Sequence, residues 1–333
     1  MRGQEAESNV VVITGAAAGV GRATALRFAK RGARLGLISR DLAALEELAT
    51  ELRSSGCRCS LAAIDVSDAQ EVLSASDRFE RDLGPITVWV NDAMVTVFSP
   101  LDKIAPSEFR HVTEVTYLGV VYGCMAALRH MRGRNRGHII NIGSALAYRG
   151  IPLQSAYCGA KHAIRGFTAA LRAELYHDKS KVAVSILELP AMNTPQFDWA
   201  RTHMTQQPKP MGAIYQPEVA AEAVYRAFRT RRREYWVGFS TFITIVGNMI
   251  SPGFMDRYLA RTAVEGQQTG RSVASDRKDN LFDPITALHR THGTFGTDAK
   301  SEAMILSGGR ARYAVVAAGA LVFFALGAFA FAL

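Results

Sequence analysis

The sequence predicts an α/β fold, a doubly wound parallel sheet in one domain, followed by a C-terminal transmembrane helix. Three observations predict it. Short β-branched apolar runs alternate with helix-spaced segments from residue 9 to about 240, as expected when helices cover both faces of a parallel sheet. A Gly/Ala-rich turn at 15–21 follows the first run. Residues 313–333 hold no charged side chain.

Each element has its own signal. NVVVIT at 9–14 reads as a buried strand, and ARLGLIS at 33–39 as a second. Helix spacing covers 21–31. Asp41 is placed as a helix N-cap, ahead of Leu42, Leu45, Leu48 and Leu52 at spacings of three and four. Further strands are expected near 59–64, 86–90, 137–142, 182–188 and 235–239. Helices are expected near 68–82, 106–132, 154–178 and 217–230. The domain organisation is then an N-terminal extension at 1–8, a domain at 9–260, a mostly irregular linker at 261–312 and a membrane helix at 313–333. The linker is rich in Gly, Thr, Ser, Asp and Arg and lacks periodicity. The apolar stretch 239–254 is short and broken by Asn248 and Pro252, which suits a peripheral helix or lid better than a second span.

Composition excludes several classes. Of the 333 residues 48% are hydrophobic and 21% charged, which marks a globular chain. A net charge of +9 fits nucleic acid or an anionic membrane surface. The cationic residues are scattered apart from Arg229 and Arg231 to Arg233, and no zinc-finger spacing appears, so nucleic acid is not an expected partner. Cys57, Cys59, Cys124 and Cys158 form neither a disulfide framework nor a metal-ligand pattern, so no metal is expected. As a helix, 313–333 rises about 31 Å, close to the roughly 30 Å of a bilayer's hydrocarbon core. Arg310 and Arg312 flank it upstream, which places a single-pass anchor in membrane lipid with the domain on the cytoplasmic side.

Strand, Gly-rich turn and helix make the geometry of a dinucleotide site. Glycines admit the pyrophosphate close to the backbone, and the helix N-terminus offers free N–H groups. The run Thr14-Gly15-Ala16-Ala17-Ala18-Gly19-Val20-Gly21 is not the usual G-x-G-x-x-G. Arg40, just after the second strand, stands where an acidic residue would bond the ribose hydroxyl of NAD. A cation there fits the 2′-phosphate of NADP, so NADP(H) is expected over NAD(H), with Ser39 adding a hydroxyl. Tyr157 and Lys161 lie four apart and share one helix face, where the ammonium would lower the phenol's pKa. Ser144 ends the fifth strand.

Taken together, the T-G-x-x-x-G-x-G turn and the Ser144, Tyr157-x-x-x-Lys161 set resemble the short-chain dehydrogenase/reductase family over about residues 9–240. The resemblance implies a Rossmann-like fold and carbonyl–alcohol interconversion. It makes Tyr157 general acid/base, Ser144 the group that polarises the reacting oxygen, and Lys161 a ligand of the nicotinamide ribose. It implies cofactor contacts at Thr14, Gly15, Ala17, Gly19, Val20, Gly21, Asp65, Val66, Asn91, Ala93, Pro190 and Thr194. It also implies association into homo-oligomers through the helices after strands four and five. Three departures stand out. Asp92 and Met94 replace the second Asn and the Gly of N-N-A-G. Thr116 occupies the position of an Asn that supports a proton-relay water. Together they leave a second expectation, a non-catalytic NADP(H)-binding scaffold or sensor. Membrane attachment, with Met, Phe and Trp in 192–215, points to a hydrophobic small-molecule substrate.

Overall fold

The computed structural model describes residues 9–317. An eight-stranded sheet forms its centre. The strands are β1 (Val10–Thr14), β2 (Arg34–Ser39), β3 (Cys59–Ala63), β4 (Ile86–Asn91), β5 (Gly137–Ile142), β6 (Val182–Glu188), β7 (Glu234–Val237) and β8 (Ile305–Ser307). Their order is β8-β7-β6-β5-β4-β1-β2-β3, parallel throughout except β8, which runs antiparallel to β7. The order reverses between β1 and β4, and such a switch point opens a crevice at the carboxyl ends of the strands.

The β1 run shows why the strands read as they do. Val11 and Ile13 enter one apolar layer, Val10 and Val12 the other, and all four are fully buried. Each such side chain contributes about 1.5–3 kcal/mol by leaving water. The helices are α1 (Gly19–Ala29), α2 (Leu42–Ser54), α3 (Ala69–Leu83), α4 (Pro106–Thr113), α5 (Gly119–Arg134), α6 (Ser155–His177), α7 (Pro217–Thr230), α8 (Phe239–Ile250) and α9 (Pro252–Gly266). Asp41 caps α2 as expected, its carboxylate accepting from the Ala44 N–H at 3.0 Å. The expected long helix at 106–132 is α4 and α5 joined by a π-turn at Glu114–Leu118.

Residues 261–312 are not a free tether. Leu281 is fully buried, and 305–307 pair with β7 as β8. The reason is hydrogen bonding: the outer edge of β7 carries unpaired backbone groups, and β8 satisfies them. α9 likewise carries the domain past 260. Arg312, expected as a free cation flanking a span, donates to Glu234 at 2.7 Å and to the Tyr148 hydroxyl at 2.6 Å. Residues 308–317 are helical. Among the described residues no helix is long and apolar enough to cross a membrane, and 318–333 of the expected span lie outside them.

Candidate active site

A cavity of about 710 Å³ lies at the switch point, lined by Ser144, Tyr157 and Lys161. β5 delivers Ser144 and α6 delivers the other two. Lys161 Nζ donates to the Ile142 carbonyl at 2.7 Å and sits 5.5 Å from the Tyr157 ring centroid. Tyr157 and Ser144 line the same cavity, and the Ser144 hydroxyl favours the ionised phenol. Ser144 is held from two sides: its N–H donates to Glu188 Oε2 at 2.8 Å, and its hydroxyl accepts from the Leu146 N–H at 3.1 Å.

Burial dominates the electrostatics. It holds the Tyr157 phenol above its ordinary range, against the pull of Ser144 and with Cys158, Asp92 and Glu188 adding to the rise. The lowering expected from Lys161 does not prevail, since that ammonium aims its hydrogen bond at Ile142. Burial also brings Lys161 down to about 8, opposed by Asp92 and Glu188. Asp92 is pushed up to about 7 by burial, against Lys161 and the Gly21 N–H. Glu188 rises to about 8 by burial, with Glu234 adding. Asp92, noted in the sequence only as a departure, thus lines the same cavity as the ammonium it influences.

The dinucleotide half divides in two. Gly15, Gly19 and Val20 reach the cavity wall, as do Ser39, Arg40, Asp65 and Val66. Ala93, Pro190 and Thr194 reach it too, Ala93 close against Gly15 and Thr194 against Gly19. Gly15 has φ +70° and Gly19 φ +52°. A Cβ on Gly15 would come within 2.9 Å of the Ala93 Cα, so the turn closes only with glycine there. Four expected contacts lie behind the wall. Ala17 is in the core. The Thr14 hydroxyl accepts from the Asp92 and Ala93 N–H groups at 3.0 and 3.1 Å. Asn91 is buried against Trp89 and Asn141. Gly21 packs so tightly that a Cβ would sit 2.2 Å from the Gly15 carbonyl oxygen.

Thr116 is also displaced from its expected role. It sits in the π-turn, fully buried. Its hydroxyl accepts from the Val95 N–H at 3.1 Å and donates to the Val95 carbonyl at 2.9 Å. A short hydroxyl so engaged pins the loop after β4 rather than reaching a relay water. Thr116→Val leaves both Val95 groups unpaired, each costing about 1–3 kcal/mol; thermal unfolding should show a lower midpoint.

Sequence reasoning missed a strap formed by 280–295. Arg40 donates to the carbonyls of Asn280, Leu281 and Phe282 at 2.6, 3.2 and 2.7 Å, and lies 3.8 Å from Asp65. The Gly19 N–H donates to the Arg290 carbonyl at 3.0 Å. Arg40 and Gly19, expected to face phosphates, therefore already hold backbone carbonyls of the strap. Met192, Phe197, Trp199 and Met211, from the expected substrate stretch, line the cavity's other half.

Comparison with known proteins agrees with this geometry. The short chain dehydrogenase profile matches residues 9–204. An uncharacterised oxidoreductase, YxnA, of Bacillus subtilis is 29% identical over 85% of this chain and 80% of its own. 17-beta-hydroxysteroid dehydrogenase 13 of Rattus norvegicus is 30% identical over 75% of this chain and 82% of its own. An alcohol dehydrogenase of the archaeon Thermococcus sibiricus, solved with 5-hydroxy-NADP, is 28% identical with a TM-score of 0.61, covering 68% of this chain and 95% of its own. The chain belongs to the short-chain dehydrogenase family and is an oxidoreductase acting on CH–OH or C=O groups.

Proposed function

We propose that the protein is an NADP(H)-dependent carbonyl reductase or alcohol dehydrogenase for a lipophilic substrate, with Tyr157 as general acid/base. The carrying observation is that Ser144, Tyr157 and Lys161 share one cavity with the glycine turn after β1. A dinucleotide fits these residues: Gly15 and Gly19 present backbone without side chain, and Arg40 stands at the end of β2. Bound nicotinamide supplies the hydride that reaches the carbonyl carbon.

The chain's own groups do the rest. Ser144 accepts from Leu146, which leaves its own proton free for the substrate oxygen. Tyr157, kept neutral by burial, gives its proton to that oxygen on reduction and takes it back on oxidation. Lys161 sets the local charge and offers further protons to ribose hydroxyls. The Met, Phe and Trp side chains of the second half exclude water and suit an apolar substrate, as does an anchor at 313–333.

Arg40 supports NADP(H) over NAD(H): its nearest partners are carbonyls, with the Asp65 carboxylate at 3.8 Å, and a 2′-phosphate would offer the guanidinium charge-assisted bonds in their place. Arg40→Ala should raise KM for NADPH about 10- to 100-fold, the worth of a charged hydrogen bond, while KM for NADH changes little. Steady-state kinetics with both cofactors checks this; equal changes would remove the preference. The strap's hold on Gly19 and Arg40 favours a second reading, a scaffold or sensor that does no chemistry. That protein would bind NADPH yet turn over no member of a carbonyl panel.

A further inference from the structure

The α8–α9 hairpin presents an apolar face that nothing in the described fold covers. Residues 239–255 contain no charged side chain. Ile250 is 73% exposed and Phe254 62%, with Phe239, Ile243 and Met249 each more than half exposed. The rings extend the patch: Phe239 stacks on Phe242, and Phe254 on Tyr258, at centroid distances of 6.1 and 6.3 Å. A soluble monomer rarely leaves so many large apolar side chains together in water.

Two features say what covers this face. The first is where the chain goes next. The helix that starts at 308 packs Ala311 with Ile245 and Phe242 of α8. It then exposes Tyr313 and Val316, and 318–333 add only uncharged residues in sequence. Residues 308–317 thus bring the start of the uncharged run beside the apolar hairpin.

The second is the order of side chains along α9. Phe254, Tyr258 and Arg261 follow at i, i+4 and i+7, so they share one face, and all three are exposed. Arg261 stands about 10 Å along the axis from Phe254. Phe254 at the tip, Tyr258 with the exposed Arg257 beside it, then Arg261 follow the order of hydrocarbon, interface and headgroup, and the spacing matches the roughly 5–10 Å depth reached by interfacial helices.

We propose that the α8–α9 hairpin docks into the surface of a phospholipid bilayer, and that substrate enters the cavity from the hydrocarbon between Ile243, Phe254 and Tyr258. These three side chains line the cavity and are also about half exposed, so they form its rim. The route rests on the lipophilic-substrate reading above; the docking does not.

The test uses the full chain with phosphatidylcholine/phosphatidylserine vesicles carrying brominated acyl chains. Tryptophan reporters are placed singly by Ile250→Trp and by Tyr176→Trp, the latter on α6 and 72% exposed in the native chain. The native Trp89, Trp199 and Trp236 are buried, and wild type gives their background. The brominated lipid should quench the increment at position 250 by at least half and leave that at 176 unchanged. No quenching at 250, or shielding of 250 without lipid in a particle of dimer mass, overturns the docking; the second result would put another copy of the chain on this face.

A companion variant, Met249→Glu with Ile250→Glu, changes two exposed residues that do not line the cavity. It should reduce a short water-soluble carbonyl at the wild-type rate, and a long-chain carbonyl held in vesicles about tenfold more slowly. Equal rates on the vesicle substrate overturn the route. Absence of turnover in wild type would count against the enzyme reading alone, since quenching still decides the docking.

Discussion

Tyr157→Phe lowers carbonyl reduction by about 10²–10⁴-fold while leaving NADPH affinity nearly unchanged, the range expected for loss of a positioned proton donor. The substitution removes one hydroxyl and keeps the ring. The ring's contact with the Lys161 ammonium at 5.5 Å survives, so the cofactor half of the cavity keeps its shape. What disappears is the neutral phenol that burial maintains beside Ser144. Ser144 cannot replace it, because an alcohol is a far weaker acid than a phenol, and giving up its proton would leave an alkoxide in a largely buried site. NADPH absorbance reports the rate and NADPH fluorescence titration the affinity. A variant that reduces carbonyls at the wild-type rate would remove Tyr157 from the chemistry.

Reduction also falls as pH rises through about 8, and Lys161→Met lowers it about 10²-fold at neutral pH. The sign follows from the ammonium. Lys161 is cationic below that pH and neutral above it, and the cation is the form that supports charge developing on the substrate oxygen. The profile of kcat/KM reports groups of the free enzyme, and Glu188, which holds the Ser144 N–H, also titrates near 8, so the shift made by Asp92→Asn is what assigns the limb to Lys161. Asp92 holds the Lys161 value up. Asp92→Asn removes that support, and the limb should move to lower pH. A limb that stays in place would show that Asp92 does not act on Lys161.

The central sheet was legible because parallel strands buried on both faces read as unbroken apolar runs. NVVVIT is the clearest, split residue by residue between two layers. The meeting of Tyr157 and Lys161 in one cavity was legible because a spacing of four residues puts both on one helix face. The turn was legible as a whole but not residue by residue: Gly15 and Gly19 reach the wall, while Thr14, Ala17 and Gly21 hold it from behind. Which way a side chain points depends on φ values and on neighbours from β4, and a motif records neither. Thr116 shows the same limit, since the π-turn and Val95 decide what its hydroxyl meets.

The strap was not legible at all. Arg40 and Leu281 are 241 residues apart, and the donor meets bare carbonyls that any sequence supplies. β8 escaped for a related reason: three residues are too few to show alternation, and an open edge of β7, not their own propensity, makes them a strand. Long-range backbone pairing leaves little mark on composition, so an irregular-looking segment became part of the domain.

Hydride delivery to a carbonyl in the cavity shared by Tyr157 and the glycine turn is the chemistry proposed for this protein. Its most direct test is NADPH carrying deuterium at the transferable position, supplied to the full chain with a long-chain aldehyde. The expected product is an alcohol with one deuterium on its carbinol carbon for each NADPH consumed. An unlabelled alcohol, or bound NADPH that is never consumed with any carbonyl offered, would contradict it.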